Sequence, residues 1–253
     1  MKSASLATTI IGLAALLPLA TAIHAAEIKV LASNGVKAAL EELAPAFERD
    51  TGNKLKIEFG LAAILKRQIE GGETFDLAVL TTAGIDDLAK QGKVDAATRA
   101  NIARSGVGIG IKAGAPRPDI GTPEALKRTL LAAKSVSWAK EGASGVYFAS
   151  VLKRIGIADQ VMPKAILAPS GAAVGALLVK GDAEFGALLV NELMAQRGVE
   201  VLGPLPPELQ SYTVFTTGVS AGSKDAAAAK ALIRFLSSPA AGVVFKSKGQ
   251  EPG

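Results

Sequence analysis

Short apolar runs alternate with longer amphipathic segments along most of the chain, and this alternation constrains the fold more than any other feature. Residues 28–32 and 75–80 are apolar runs that predict buried strands, whereas residues 36–49 place Leu40 and Phe47 on one face of a helix. Strands that alternate with helices build a largely parallel sheet with helices on its faces. The sequence therefore predicts the α/β fold class.

The alternation occurs twice, once on each side of a glycine-rich apolar run at residues 107–111. A second extended run at residues 213–219 leads back towards the first series, and a final helix follows it. We therefore predict two lobes joined by two crossover strands, with a ligand cleft between the lobes. The predicted parts are residues 26–106 with 220–253 for the first lobe, 112–212 for the second lobe, and 107–111 with 213–219 for the crossover strands.

The first 25 residues have the pattern of a secretory signal peptide. Lys2 precedes an apolar run at residues 6–20, and small residues follow at 21–26. The run is shorter than the roughly 20 residues that cross a bilayer, which favours a cleaved signal over an uncleaved membrane anchor. We expect export to the periplasm, with cleavage after Ala25 or after Ala22.

The chain has no cysteine and a single histidine, His24, which lies inside the predicted signal. A mature chain that begins after Ala25 therefore has neither a thiol nor an imidazole. Cys-His and Ser-His-Asp catalysis are then excluded, and so are metal sites built on cysteine or histidine. We expect no metal and no other cofactor.

Basic residues exceed acidic ones, so the formal net charge of the whole chain is +5, and it is lowered by one when Lys2 leaves with the signal. The lysines and arginines are scattered and often stand beside acids, unlike the clustered basic patch of a nucleic-acid-binding protein. A mild positive charge suits a small anionic ligand. We therefore expect a small anion, and no nucleic acid, as the partner.

Several strands are followed by short turns in which serine, asparagine or glycine precedes a helix. Such junctions leave backbone N–H groups free at a helix N-terminus, where anions are favoured. In open α/β sheets the ligand binds at the carboxyl ends of the strands, where these junctions lie. The alternative is that each serine or asparagine only caps its helix. The candidate ligand-binding residues are Ser33, Asn34, Gly35, Gly60, Leu61, Thr81, Ser144, Gly145, Tyr147, Ser170, Gly171 and Asn191.

Motifs spread over nearly all of the mature chain resemble those of periplasmic molybdate-binding proteins. They are ASNG at 32–35, LEELAPAF at 40–47, FG at 59–60, RQIEGG at 67–72, FDL at 75–77, KVD at 93–95, ASGVY at 143–147 and FG at 185–186. The resemblance implies a type II periplasmic binding protein, with two α/β lobes that close on an anion by a hinge motion. It also implies delivery of the anion to the permease of a membrane ABC transporter, and we expect a monomer.

Three positions depart from the side chains with which that family holds its oxyanion. The family's two serines fall on Gly35 and on Leu61 or Ala62, and its tyrosine falls on Leu189. A dry site for a tetrahedral oxyanion needs its hydrogen bonds made. We therefore expect an organic carboxylate rather than molybdate, with Leu61 and Ala62 as an apolar wall.

The altered pattern also resembles that of bacterial aconitate isomerases, exported enzymes that move a proton and a double bond in a tricarboxylate without a metal. In a chain without histidine, the base has to be a carboxylate, a lysine or a tyrosine. Glu141, beside a turn of the second lobe, is the first candidate base, ahead of Tyr147 and Lys140, although an ordinary surface glutamate also suits this position.

Three functions therefore remain open. The absence of imidazole and thiol favours binding over catalysis, so we expect a solute-binding protein of an ABC importer first. The alternative is an exported isomerase that interconverts trans- and cis-aconitate. A third hypothesis is a ligand-binding sensor for a membrane receptor.

Overall fold

The computed structural model describes residues 25–253, and in this range ten strands join into one curled sheet with helices on its faces. The strands are β1 (Glu27–Ser33), β2 (Lys54–Gly60), β3 (Leu77–Thr81), β4 (Ala100–Lys112), β5 (Val136–Ala139), β6 (Ala165–Ala168), β7 (Phe185–Leu189), β8 (Val199–Pro204), β9 (Tyr212–Val219) and β10 (Glu251–Pro252). The order is β2-β1-β3-β9-β4-β7-β5-β6, and β8 and β10 also pair with β4.

Helices connect most of these strands. They are α1 (Lys37–Thr51), α2 (Ala62–Glu70), α3 (Thr82–Lys90), α4 (Pro123–Ala132), α5 (Ala143–Arg154), α6 (Ala158–Val161), α7 (Gly171–Lys180), α8 (Val190–Met194), α9 (Ala226–Leu236) and α10 (Pro239–Ser247). The succession of strand and helix confirms the predicted α/β class.

The first lobe is built on the parallel strands β2, β1 and β3. On one face, α1 and α9 meet through an edge-to-face contact of Phe47 and Phe235, whose ring centroids are 5.5 Å apart. On the other face, α2 and α3 bury Leu65 and Leu88. Because helices cover both faces of the sheet, the strand sequences are largely apolar and do not alternate between apolar and polar residues.

β4 belongs to both lobes. Its residues 100–106 pair antiparallel with β9, and its following residues pair antiparallel with β7 and β8. The predicted strand at residues 107–111 is only the second part of β4, because Asn101, Arg104 and Ser105 interrupt the apolar pattern before it. The residue bounds of the two lobes stay a prediction.

The second lobe contains the parallel strands β6, β5 and β7. Trp138 of β5 packs on Phe148 of α5, with ring centroids 5.4 Å apart. The glycines of β4 let α8 approach this sheet, since a Cβ atom on Gly110 would lie 2.4 Å from Cδ2 of Leu193. The glycine-rich pattern of β4 therefore positions α8, which borders the cleft described below.

The predicted signal at residues 1–25 lies almost entirely outside the described residues and stays a prediction. Within residues 25–253, no single helix is long and apolar enough to cross a membrane. α9 and α10 reach that length and composition only as a pair with a bend of 63° between them. Both helices bury apolar side chains, such as Leu232 and Phe245, in the main hydrophobic core.

Candidate ligand-binding site

A small cavity lies between the two lobes, at the carboxyl ends of the parallel strands β1, β2, β5 and β7. Its volume is about 20 Å³, which is room for about one water molecule. The cleft is therefore nearly closed here, and a ligand of several atoms needs more room than this cavity offers, which a movement of the lobes apart would provide. The lining residues are Ser33, Asn34, Gly35, Leu61, Ala62, Ala139, Gly142, Ala143, Ser144, Gly171, Leu189, Glu192, Thr213 and Phe215.

Two helices of at least nine residues, one from each lobe, begin at this cavity without a side-chain cap, and so does the short helix α8, whose N-cap residue Leu189 also lines the cavity. α2 begins after Leu61 and α5 begins after Gly142, and neither residue supplies a side-chain acceptor to its helix. Elsewhere Thr81, Thr122 and Ser170 cap α3, α4 and α7 through their hydroxyl oxygens. The first N–H groups of α2 and α5 therefore remain available, and together with the helix dipoles they favour an anion in the cavity.

The aromatic ring of Phe215 fills the space beside Gly35. A Cβ atom on Gly35 would lie 2.2 Å from Cζ of this ring, and the ring is almost completely buried. A serine side chain at position 35 therefore does not fit unless the ring moves. Glycine at position 35 therefore allows β9 to pack closely against the turn after β1.

Gly35→Ser is expected to destabilise the protein by about 1–3 kcal/mol, because the added side chain overpacks a dense region. Urea unfolding of the wild type and the variant measures this difference. Gly222→Ala is the matched control, since a Cβ atom there meets only Oγ of Ser220, at 4.0 Å. A Gly35→Ser variant as stable as the wild type would show that the ring of Phe215 does not restrict position 35.

Glu192 is the one ionisable side chain among the described residues that line the cavity. It is the third residue of α8, and its carboxylate accepts a hydrogen bond from the backbone N–H of Leu189, the N-cap residue. Burial raises the pKa of Glu192 to about 7, although the bond from Leu189 opposes part of this effect. The carboxyl group therefore changes its charge near neutral pH, which is typical of groups at functional sites.

A larger groove adjoins the cavity and has a volume of about 280 Å³. Asn34, Gly171 and Glu192 border both spaces. Lys37 and Glu41 of α1 line the opposite wall of the groove, where Nζ and Oε1 of this half-exposed ion pair are 3.7 Å apart. A ligand that extends beyond the cavity therefore finds room for a second polar group next to Glu192.

Within residues 25–253, one buried hydrogen bond and one ion pair at the rim join the two lobes across the cleft. Asn191 of the second lobe donates a hydrogen bond from Nδ2 to the carbonyl oxygen of Gly35, with 2.7 Å between the two atoms. At the rim, Nη2 of Arg67 and Oε2 of Glu141 form an ion pair with a separation of 2.6 Å. The side chains of this pair are 57% and 47% exposed, so it contributes only about 0–1 kcal/mol. The buried bond to Gly35 is the more specific of the two contacts.

The predicted ligand-binding residues lie partly in and partly outside these two spaces. Those that line the cavity are Ser33, Asn34, Gly35, Leu61, Ser144 and Gly171. Those that border the adjoining groove without lining the cavity are Ser170 and Asn191. Their contact with a ligand stays a prediction, but the expected convergence of junctions from both lobes is present.

Thr81 and Tyr147 line neither space and have structural partners instead. Oγ1 of Thr81 accepts a hydrogen bond from the backbone N–H of Gly84, as the cap of α3. The hydroxyl of Tyr147 donates a hydrogen bond to the carbonyl oxygen of Leu209, with 2.9 Å between the oxygens. In the closed cleft these side chains stabilise the walls rather than face the ligand space.

Gly60, Gly145 and Glu141 also lie outside the two spaces. A Cβ atom on Gly145 would lie 2.0 Å from the carbonyl oxygen of Ala139, so this glycine allows α5 to begin close to the end of β5. Gly60 is the last residue of β2 and pairs with Ser33. Glu141 is at the exposed rim, in the ion pair with Arg67. Its role as a base stays a prediction that this placement does not favour.

The sequence patterns missed Glu192, Thr213 and Phe215. Glu192 directly follows Asn191, so the junction pattern that selects Asn191 would have found it one residue further along. Thr213 and Phe215 lie on β9, far from the other lining residues in sequence, and no local signal places them at the cavity. Their position depends on the antiparallel pairing of β9 with β3 and β4.

The described part of the chain offers no obvious ligand set for a metal ion. Within residues 25–253, no group of three or more histidine, cysteine, aspartate and glutamate side chains is arranged to hold one. Glu192 is the single carboxylate at the cavity, whereas calcium takes six to eight oxygen ligands. The chemistry that the residues support is the binding of an anion by N–H groups, beside one titratable carboxyl.

Two α/β lobes that share a long strand and close on a small cavity define a two-lobed binding protein. The chain belongs to the bacterial extracellular solute-binding protein family, whose model matches residues 28–251. The periplasmic molybdate-binding protein of Azotobacter vinelandii has the same fold, with a TM-score of 0.75 at 18% identity over 88% of this chain and 98% of that one. The predicted two-lobed periplasmic-binding-protein fold is therefore confirmed.

Two relatives match this chain along most of its length. The aconitate isomerase of a Pseudomonas species is 31% identical over 241 residues, which are 93% of this chain and 91% of that protein. The molybdate-binding protein ModA of Escherichia coli is 25% identical over 88% of each chain. Both predicted resemblances, to molybdate-binding proteins and to aconitate isomerases, are therefore confirmed.

Proposed function

We propose that this protein binds a small organic carboxylate in the cleft between its lobes and delivers it to an ABC importer. The observation that supports this most is the pair of uncapped N-termini of α2 and α5, which face the cavity from opposite lobes. Backbone N–H groups at a helix N-terminus bind a carboxylate without any basic side chain. Membership of the solute-binding family supports the transport role.

The same cavity disfavours molybdate. A tetrahedral oxyanion presents oxygen in every direction, so each oxygen that loses its donor on leaving water weakens binding. Gly35, Leu61 and Leu189 supply no side-chain donor, and Phe215 adds apolar surface. A carboxylate ligand instead places its carbon skeleton against such surface and its oxygens at the helix N-termini.

The protein is proposed to act in the periplasm as a monomer. The periplasmic location is supported by the signal pattern at residues 1–25 and by the family of the chain. We expect the mature protein to act as a monomer that docks on the permease of its transporter.

A thermal-shift screen at pH 6 tests the proposed ligand class. Citrate, tricarballylate and trans-aconitate are expected to raise the midpoint of unfolding, because a ligand that binds only the native state stabilises it, by about 2.7 kcal/mol at one hundred times its Kd. Molybdate, tungstate and sulfate are expected to leave the midpoint unchanged. If molybdate or tungstate gave the largest shift, the argument from Gly35, Leu61 and Leu189 would be wrong.

An isomerase of trans-aconitate is the second candidate function, and Glu192 is the observation that favours it. An ionised Glu192 is suited to take a proton from the CH₂ group of trans-aconitate and return it to the vinyl carbon. The electron pair left behind forms the new double bond while the old one opens, so the product is again aconitate, now in the cis form. The 31% identity to an aconitate isomerase supports this candidate.

Incubation of the purified protein with trans-aconitate, followed by proton NMR, tests the second candidate. If the protein is an isomerase, Glu192→Gln is expected to lower turnover by roughly 10²–10⁴-fold, because it removes the group that moves the proton. Glu124→Gln is the matched control, since Glu124 is exposed in the first turn of α4. A wild type that forms no cis-aconitate above the blank would eliminate the isomerase.

A further inference from the structure

Glu192 is the one ionisable side chain among the described residues that line the small cavity. Its side chain lines the closed cavity and also borders the adjoining groove. Its carboxyl carbon lies 3.5 Å from the position that a Cβ atom on Gly171 would take, so it stands beside the first residue of α7. An anion held by the N-termini of α2 and α5 therefore binds in the same small space as this carboxyl group.

No cation neutralises Glu192 within the described residues. α7 presents the uncharged Ser170 and Gly171 to it, and the side-chain amides that line the same groove are those of Asn34, Asn191 and Gln196. The bond from the Leu189 N–H is the single favourable contact that lowers its pKa, which burial raises to about 7.

The charged side chains nearest to this space are already paired with one another. Lys37 pairs with Glu41 on the same helix, α1, in the wall of the groove opposite Glu192. At the rim, Arg67 of α2 pairs with Glu141 at the end of β5. Each pair is formally neutral, so neither supplies a free positive charge that would keep Glu192 ionised beside a bound anion.

We propose that Glu192 takes up a proton when a carboxylate ligand binds and then donates a hydrogen bond to that ligand as a neutral acid. The proton comes from solvent and adds to one carboxylate oxygen, and no other bond is made or broken. Two negative charges that share this small cavity repel each other, which favours the neutral form of the acid. The inference rests on the proposed function, since it requires an anion in the cleft.

The neutral acid supplies a side-chain donor in a cavity where Gly35, Leu61 and Leu189 supply none. It also links ligand affinity to pH, because the ligand binds only the fraction of molecules that carry the proton. When the lobes open, Glu192 regains water, and the preference for its neutral form weakens. Release of the ligand is then accompanied by release of the proton.

Isothermal titration calorimetry with tricarballylate tests the inference. This tricarboxylate is ionised at pH 8 and has no double bond to isomerise. Titration in buffers with different enthalpies of ionisation counts the protons taken up on binding. The wild type is expected to take up about one proton at pH 8, and its affinity is expected to fall by up to about tenfold per pH unit above pH 7.

Glu192→Gln is expected to take up no proton and to bind with an affinity that does not change above pH 7. At pH 8 this variant should bind up to about tenfold more tightly than the wild type, because its amide is always neutral and can still donate a hydrogen bond. The matched control Glu124→Gln should retain the proton uptake of the wild type. If the Glu192 variant does not fold, the proton uptake of the wild type and the pH dependence of its affinity still test the inference.

The possible results separate this inference from the proposed function. If tricarballylate binds at pH 6 and pH 8 with equal affinity and no proton uptake, Glu192 is not the donor, although the carboxylate site remains. That outcome is also the one that a catalytic base requires, because the base must be ionised when its substrate binds. If no carboxylate of the panel binds at either pH, the proposed function and this inference both fail.

Discussion

The free energy of unfolding of this protein is expected to fall as the pH rises from about 4 to about 8, because Glu192 is harder to ionise in the folded state. Its pKa is about 7 when folded, above the value of about 4.3 for an unfolded glutamate. Between these two values the folded state holds more protons than the unfolded state, so stability decreases with rising pH and levels off above the folded pKa. The full difference corresponds to roughly 4 kcal/mol, and the partial exposure of Glu192 to solvent lowers the expected effect to roughly 3 kcal/mol.

Urea unfolding of the wild type and Glu192→Gln at several pH values isolates this contribution. The two proteins are expected to be nearly equal in stability at pH 4, whereas at pH 8 the variant should be more stable by up to roughly 3 kcal/mol. Glu70 and Glu73 have lowered pKa values, each chiefly through a hydrogen bond from a lysine, but their effects are common to both proteins and cancel. Equal stability at pH 8 would mean that the pKa of the partly buried Glu192 is not raised in the folded protein.

Gly145→Ala is expected to destabilise the protein by about 3 kcal/mol and to abolish ligand binding. The new Cβ atom would lie 2.0 Å from the carbonyl oxygen of Ala139 and 3.0 Å from its carbonyl carbon. These are backbone atoms at the end of β5, so they cannot rotate away as a side chain can, and the overpacking is severe. Relief requires α5 to move, which displaces the uncapped N-terminus that faces the cavity.

Chemical unfolding and calorimetric titration of the same Gly145→Ala sample measure both effects. Gly222→Ala serves again as the control, because it introduces the same methyl group into open space. Gly145→Ala should lose affinity for tricarballylate even at a temperature where it remains folded. A variant with the unfolding midpoint and the affinity of the wild type would show that the start of α5 is not constrained by Ala139.

The alternation of apolar and amphipathic segments is sufficient to predict the main elements. The apolar patterns predict the helix over residues 62–70 and the strand over residues 212–219 directly. Glycine follows the helix, and the apolar period changes after the strand. β8 and α8 are harder to predict. They are short, and their stability comes from antiparallel pairing on β4 and from packing against Gly110 rather than from a local pattern.

The candidate site is only partly readable from sequence. Ser33, Ser144 and Gly171 are found because a strand-to-helix junction is a local pattern, and the α/β fold brings such junctions together. The burial of Glu192 and the contact of Phe215 with Gly35 are tertiary effects between distant segments. The sequence shows that position 35 is a glycine and not a serine. Only the fold shows that the ring of Phe215 occupies the space beside it.

Glu141 and Glu192 show the same limit for the choice of a reactive group. Both glutamates lie next to a strand-to-helix junction, and the sequence favours Glu141 because it adjoins a glycine- and serine-rich turn. In the fold, Glu141 is at the exposed rim, whereas the side chain of Glu192 is turned into the cavity. Glu141 is exposed and Glu192 is partly buried, so position in the fold, and not the neighbouring residue types, separates the two.

The central claim is that the cleft holds a carboxylate rather than a tetrahedral oxyanion. Calorimetric titration of the wild-type protein at pH 6 with tricarballylate, trans-aconitate and molybdate tests it most directly, because Glu192 is then largely neutral. The account predicts saturable binding of at least one of the two carboxylates, with one ligand per chain, and no heat of binding from molybdate. Saturable binding of molybdate, with no binding of either carboxylate, would contradict it.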